Sequence, residues 1–374
     1  KVRIIINNAK EEVLACRFKV IEDLLVEIPL KSYKSKILAE GIHRQVKLNP
    51  LIKKVYIEAP NPSLEDIRDD WSRIAAETKM ARTSLRVLQE LPEKLRENEF
   101  KITAVTSFDE IIAIENSDTR NKLLGMAFDI GTTSIAGYLL NLKTGEEIYR
   151  ISSLNPQTKY GADLISRIVY ASQAPGKLEK LHFELIEQLN SLIAQATYKS
   201  GYTPMDVYAV TAAGNTAMHH LLLKIQPRSL AGSPYVPALI EPVIANAAEL
   251  NLKINSCGRL FALPNIAGYV GGDTVAATLI SQMYKDDKLK LLIDIGTNGE
   301  IVLGNKKKLI SCSVAAGPAF EGVQIKCGMR GDEGAIDHVF IGEEFKYTVI
   351  GETQALGIAG SGIVDIVAEL LKAG

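Results

Sequence analysis

Two aspartates stand at the same kind of junction. Asp129 closes the apolar run in "MAFDIGTTSI" and Asp294 closes the one in "LLIDIGTNGE"; each time the chain then breaks into Gly-Thr and a further small polar residue. An apolar strand buried in a sheet holds a carboxylate at its end in a fixed place. The glycine after it lets the backbone turn sharply and lets a ligand approach the main chain. Thr and Ser hydroxyls, with the N–H groups of such a turn, donate to phosphate oxygens. Asp129 and Asp294 would then hold Mg2+, directly or through water, opposite those phosphates. One such turn by itself reads equally as a surface β-turn. Two of them, facing each other across a cleft, would enclose a triphosphate and respond to loss of its γ-phosphate. The chain has no GxxxxGK[ST], so a P-loop is not its route to ATP.

The elements that must position these turns repeat with them. After Asp129, "TSIAGYLLNL" alternates, "KTGEE" turns and "EIYRISS" returns; after Asp294, "EIVLGN" is followed by "NKKK" and "LISCSVAAG". Each copy reads as strand, tight turn, strand, turn, strand, so the region is an internal duplication in which each half opens on a three-stranded meander. Upstream, "VYIEAPNPSLEDIRDDWSRIAAETKM" predicts a strand and then a helix opened by Ser63, with Asp66 three residues on as a capping box. "TSLRVLQELPEKLREN" predicts a second helix interrupted at Pro92, and "FKITAVTS" and "EIIAIENS" two strands. This small α+β unit shows no catalytic constellation, and Trp71 falls on a helical face as core or interface. At the start, VRIII and LLVEI read as two short strands around a turn containing Cys16. Pro29 ends that piece, and the polar, basic stretch after it has the composition of a linker.

Three further pieces belong near a site. "NIAGYVGGDTVAATL" sets Asp273 after a glycine pair and before a helical run, where it is either a helix N-cap or a chemical group. "AAGPAFEG" is a Gly/Pro-punctuated loop suited to touching a nucleotide or a partner. "GIAGSGIVDI" carries Gly360 and Ser361 into a helix whose N-terminus favours an anion, although a simple turn and cap reads the same way. His219 and His220 are adjacent on a helix, about 100° apart, and form no metal pair. We expect them to be structural, and the thiols of Cys257, Cys312 and Cys327 to be buried.

Bulk properties exclude other classes. With 374 residues the chain holds two or three domains, and its net charge of −1 offers no basic field to a nucleic acid. No apolar run approaches the ~20 residues of a membrane span, and the start does not read as a signal peptide. Four scattered cysteines without a CxxC pair fit a reducing, cytoplasmic setting. The chain begins at Lys1 and ends in a helical run, so it reads as a fragment.

The duplicated turns resemble those of the superfamily that joins acetate and sugar kinases, heat-shock chaperone ATPases and actin. The resemblance implies an α/β fold with a duplicated, two-lobed actin-like (RNase H-like) ATPase domain. It also implies that Gly131, Thr132, Thr133 and Ser134 form one phosphate loop and Gly296, Thr297, Asn298 and Gly299 the other, with Glu300 at its margin. The Asp273 segment is similar to the "NDT" of sugar kinases, where the aspartate acts as base near the γ-phosphate; here it would position or deprotonate water.

Longer stretches narrow the resemblance. "LACRF", "SLEDIRDDW", "LRVLQELPEKLRE", "GMAFDIGTTSIAGYL", "SLNPQTKYGADLISRI", "YVGGDTVAATL", "IDIGTNGEI" and "GPAFEGVQIKCGMRGDEGAI" occur in this order. Together they look like the reductive activators of corrinoid proteins of anaerobic one-carbon metabolism. That resemblance implies a remnant of a β-grasp [2Fe–2S] ferredoxin domain over 1–29, a linker over 30–49, a small α+β middle domain over 50–122, and the ATPase domain over 123–374 with its second lobe cut short. It implies ATP, Mg2+, a corrinoid protein as partner, an external low-potential electron donor and a homodimer. Cys16 matches one cluster ligand of the family. A plant-type cluster needs four thiolates, so the chain as given is expected not to assemble it. The implied activity is ATP-driven return of Co(II) to Co(I). A small-molecule kinase and a nucleotide-gated protein clamp on the same fold are the rivals.

Overall fold

The computed structural model describes residues 2–6, 9–13, 25–27, 46–161, 163–296, 298–315, 325–329, 331, 333–342, 344–351 and 353–373. The chain divides into two compact units, Lys1–Lys36 with Pro318–Gly374 and Ile37–Gly317.

In the first unit, β1 (Val2–Ile6), β2 (Ala9–Val13) and β3 (Leu25–Glu27) pair antiparallel in the order β2-β1-β3. β2 was not anticipated, because "AKEEV" lacks the apolar alternation that betrays a strand. Cys16 lies outside the described residues.

The second unit opens with β4 (Ile52–Glu58), α1 (Asp70–Thr78), β5 (Arg82–Thr83), α2 (Leu85–Glu97), β6 (Lys101–Ser107) and β7 (Glu110–Asn116). The sheet runs β4-β6-β7-β5, and Ile74, Val87, Leu91 and Leu95 of the helices pack with Ile57, Ile102 and Ile114 of the strands. Two expectations need correction. The first helix starts not at Ser63 but at Asp70, capped by Asp69, which accepts from Ser72 N at 2.8 Å. Ser63 Oγ does accept from Asp66 N at 3.1 Å, but the Asp66 carboxylate is committed to Arg68 and to the buried Arg73 (2.6 Å), so the box stays half-formed and closes a turn instead of opening the helix. The second helix runs unbroken through Pro92. Its buried stripe of Val87, Leu91 and Leu95 holds it on the sheet while the proline faces solvent.

There follow β8 (Leu124–Ile130), β9 (Ser134–Asn141), β10 (Glu147–Leu154), α3 (Leu164–Gln173), α4 (Lys177–Lys199), β11 (Val207–Gly214), α5 (Thr216–Leu222), β12 (Val243–Asn246), β13 (Arg259–Ala262) and α6 (Gly272–Ser281). One six-stranded sheet has the order β10-β9-β8-β11-β13-β12, antiparallel through the β8–β9–β10 meander and parallel from β8 through β11 to β13. Leu181, Leu185, Leu189 and Leu192, three to four residues apart on α4, enter its core with Met126, Phe128 and Val210.

The second meander, β14 (Lys290–Ile295), β15 (Asn298–Asn305) and β16 (Lys308–Ala315), is antiparallel like the first. Even the hairpin turns correspond: Asn141 Oδ1 accepts from Lys143 N at 2.9 Å, and Asn305 Oδ1 from Lys307 N at 3.0 Å. Cys312 and Cys327 are exposed rather than buried, and Cys257 is half-buried. Cys312 shares an outward face of β16 with Ile310 and Val314, so its apolar strand pattern does not signal enclosure.

Back in the first unit, β17 (Ala335–Ile341), β18 (Phe345–Val349) and β19 (Gly357–Ile358) form a sheet in the order β18-β17-β19, with α7 (Gly360–Ala373) packed on β17. Among the described residues, no helix is long and apolar enough to cross a membrane.

Candidate functional site

Asp129 sits at the carboxyl end of β8, level with Ala213 of the parallel β11 and opposite Ala136 of β9. The carboxyl ends of parallel strands in an α/β sheet are where loops open a crevice for ligands. Gly131, Thr132 and Thr133 form the turn, and Ser134 begins β9. The next loop along the edge is the junction from β11 into α5. There Asn215 caps the helix by accepting from Met218 N at 3.0 Å.

The glycine pair before Asp273 has a geometric purpose. A Cβ on Gly271 would stand 2.5 Å from the Cα of Asn215 and from the carbonyl oxygen of Gly214, so only glycine lets the start of α6 lie flush on that junction. Asp273 is therefore not the cap but the second residue of α6, whose N-cap is Gly271 without a side-chain bond. Its Oδ1 accepts from Thr274 N at 2.6 Å.

Four carboxylates share this neighbourhood: Asp129, Asp273, Asp294 and Glu300. Asp129 is open to solvent on one side and hemmed in by protein elsewhere. Loss of hydration, with the charges of Asp273 and Asp294, pushes its carboxyl up to about 6. Burial also raises Asp273, aided by Asp294. Glu300 on β15 is buried and accepts from Ser313 Oγ at 2.9 Å; burial first, then Asp273 and Asp294, raises it too. This brings Asp294 of β14 into the same electrostatic neighbourhood as Asp129 and Asp273. Among the described residues, no three His, Cys, Asp or Glu side chains converge tightly enough to form a ready-made metal cage. The donor set is nonetheless hard and anionic. It suits Mg2+, which keeps several waters and takes one or two carboxylates plus phosphate oxygens.

In the second turn Gly296 N donates to Asn298 O at 2.9 Å, Gly299 pairs with Ile295 across the hairpin, and Thr297 lies outside the described residues. Gly360 and Ser361 open α7 within the other compact unit. The loop 316–324 lies outside the described residues. His219 and His220 are buried, in keeping with a structural role. His220 is bonded through Nδ1 to Thr216 O (2.7 Å) and through Nε2 to Ala238 N (3.0 Å), while burial holds His219 down at about 4. Two asparagines on the first turn, Asn155 and Asn215, went unnoticed in the sequence. Asn155 Nδ2 donates to Gly131 O at 2.8 Å and its N–H to Thr133 O at 2.8 Å. Asn215 Nδ2 donates to Thr132 Oγ1 at 3.0 Å. The strand–Gly–Asn–helix order of "TAAGNTAM" was the signal for the second; nothing local announces the first.

The chain is similar to known proteins along most of its length. Models of the RACo linker region, the RACo middle region and the C-terminal (ASKHA) domain of RACo match residues 41–121, 124–286 and 288–374. A corrinoid activation enzyme, RamQ of Eubacterium limosum, is 33% identical over 98% of this chain and 63% of its own length. A Co(II) methylated amine-specific corrinoid protein reductase of Methanosarcina barkeri is 24% identical over 67% of this chain and 51% of its own. The solved structure of a reductive activator for a corrinoid, iron–sulfur protein superposes with a TM-score of 0.81 and 36% identity, over 94% of this chain and 60% of that one. The chain thus spans under two thirds of the length of each of these relatives.

Proposed function

The chain belongs to the family of reductive activators of corrinoid proteins, and we propose that it binds and hydrolyses Mg-ATP to return an inactive Co(II) corrinoid protein to Co(I). The observation that carries this reading is the crowding of Asp129, Asp273 and Asp294 at two matched Asp-Gly-Thr turns: burial with the charges of Asp273 and Asp294 raises the carboxyl of Asp129, and burial with the charge of Asp294 raises that of Asp273. Such a set is costly until a cation and its phosphates arrive. Bound Mg2+ would neutralise developing charge on the phosphoryl oxygens. Asp129 and Asp294 would hold it, through water or directly. Gly131, Thr132, Thr133 and Ser134 would cradle phosphate from one side, and Gly296, Thr297, Asn298 and Gly299 from the other. Within their own compact unit, Gly360 and Ser361 would offer an anion the N-terminus of α7. Asp273, with Oδ1 taken by Thr274 N, would orient or deprotonate the attacking water through Oδ2.

In this reading residues 50–122 are the small α+β domain and 123–374 carry the ATPase. The partner is a cytoplasmic corrinoid protein of anaerobic one-carbon metabolism, the electron comes from an external low-potential donor, and the protein works as a homodimer. A [2Fe–2S] centre needs four thiolates. The chain has Cys16, Cys257, Cys312 and Cys327, and among the described residues no group of three His, Cys, Asp or Glu side chains forms a ligand set. The chain as given therefore does not assemble the cluster, and Cys16 would supply one of its four thiolates in the intact protein.

The test is ATP hydrolysis by the full-length protein with and without a Co(II) corrinoid protein from the same source, following the cobalt spectrum under a low-potential reductant. Hydrolysis that rises with the partner, and Co(I) that forms only with ATP, is the expected result. ATP turnover with cobalt left as Co(II) would transfer the reading to a small-molecule kinase.

A further inference from the structure

We propose that Asn155 and Asn215 set the hydrogen-bond polarity of the first turn, making it a donor-lined seat for phosphate. The inference rests on the Mg-ATP reading above and adds two positioning residues to it.

Each amide has a determined orientation. Asn215 Oδ1 accepts from Met218 N (3.0 Å), so its Nδ2 is the group facing Thr132 Oγ1 at 3.0 Å. Asn155 Oδ1 accepts from Gln157 N (3.0 Å), so its Nδ2 is the group on Gly131 O at 2.8 Å. Both side chains are buried, Asn155 completely, and Thr132 is buried with them.

The consequence follows from the donor and acceptor inventory. A threonine hydroxyl has one proton to give and two lone pairs. With Asn215 donating into one lone pair, the hydroxyl proton of Thr132 is left to point elsewhere, to an acceptor in the cleft. Carbonyl oxygens in the turn would repel phosphate. Asn155 draws two of them, Gly131 O and Thr133 O, to its own Nδ2 and N–H groups. Together the two asparagines occupy acceptors of the turn and leave donors for an anion. The caps that Asn155 and Asn215 provide, at residues 156–160 and at α5, use only their Oδ1 atoms, so the Nδ2 bonds to the turn are additional to capping.

The test is a double-mutant cycle on the full-length protein, reading the Mg-ATP dissociation constant by calorimetry and the thermal midpoint of the same samples. Asn215→Ser keeps a capping hydroxyl but does not reach Thr132; it is expected to weaken Mg-ATP about tenfold, the scale of one hydrogen bond to a charged group. In a Thr132→Val background the same change should cost less than about twofold, because the hydroxyl it acts through is gone. Asn215→Asp covers the case in which the serine variant does not fold. It retains the cap, but its carboxylate only accepts, so it captures the Thr132 proton and weakens Mg-ATP at least as much. Asn155→Asp should also weaken Mg-ATP about tenfold. Equal losses in both backgrounds, or a fall in thermal midpoint without loss of affinity, would overturn the positioning role and leave the asparagines structural. Wild-type protein that does not bind Mg-ATP would overturn the ATP reading itself, and this inference with it.

Discussion

The most exposed test of the site is the protonation of Asp129. Its carboxyl lies near about 6 in the folded protein, against about 3.9 in an unfolded chain. Between those values the native state holds the extra proton, so stability of the ligand-free protein falls as pH rises through that window and stays lowered above it. Asp129→Asn removes the penalty. Thermal midpoints should show the ligand-free variant more stable than wild type at pH 7 to 8, with the gap closing as pH falls towards 4. The same variant should turn over Mg-ATP about tenfold more slowly or worse, and Asp294→Asn likewise. Normal turnover in both would remove the two-turn reading. The aspartates were legible in the sequence because each turn is a local word of four or five residues. Asn155 and Asn215 were not, because folding brings them to the turn from 24 and 83 residues away.

At the scale of elements, the site depends on how closely α6 lies on the β11–α5 junction. Gly271→Ala drives a methyl into the backbone of Gly214 and Asn215, so α6 must lift, at a cost of about 1–3 kcal/mol. Urea unfolding should report the loss as a lower midpoint, and ATP turnover should fall with it because Asp273 and Asn215 move apart. A variant with wild-type stability and turnover would show that the contact is slack. Pro92 makes the opposite case. It sits inside α2, where it removes one N–H from the helix ladder. The sequence read it as an interruption because local propensity gave no view of Val87, Leu91 and Leu95 anchoring both sides of it. Since its side chain faces solvent, Pro92→Ala should stabilise the protein by up to about 3 kcal/mol, seen as a higher denaturant midpoint with unchanged ATP turnover. The meanders and most strands were legible for the same reason that α2 was misread. Alternation is a property of a few neighbouring residues, whereas the continuity of a helix across proline is decided by its partners.

At the scale of the molecule, the family resemblance implied a domain boundary between residues 122 and 123, and the folded chain carries a core straight across it. Ile52, Val105 and Ile112, on the face of the β4–β7 sheet away from its helices, pack with Leu123 and Tyr208. At the edge of that core, Lys54 Nζ donates to Glu115 Oε2 and to Lys122 O, each at 2.7 Å, and lies 4.3 Å from the centre of the Tyr208 ring. The Tyr208 hydroxyl donates to Glu115, and burial together with that bond holds the phenol protonated. Lys54 and Glu115 come from the small sheet and Tyr208 from β11, the strand whose end carries the Asn215 junction, so the ammonium is a rivet between the two sheets. Its side chain is 2% exposed. Lys54→Met therefore leaves the half-buried Glu115 without its counter-ion, a loss of about 3 kcal/mol, the lower end of the range for a broken buried pair. The joint should give way before either core does. Differential scanning calorimetry should resolve an early transition for the small sheet in Lys54→Met, where wild type unfolds residues 50–315 together. Adding Glu115→Gln should recover part of the loss, because it removes the stranded charge rather than any packing. A single transition at the wild-type midpoint in Lys54→Met would mean that the apolar core alone holds the sheets together.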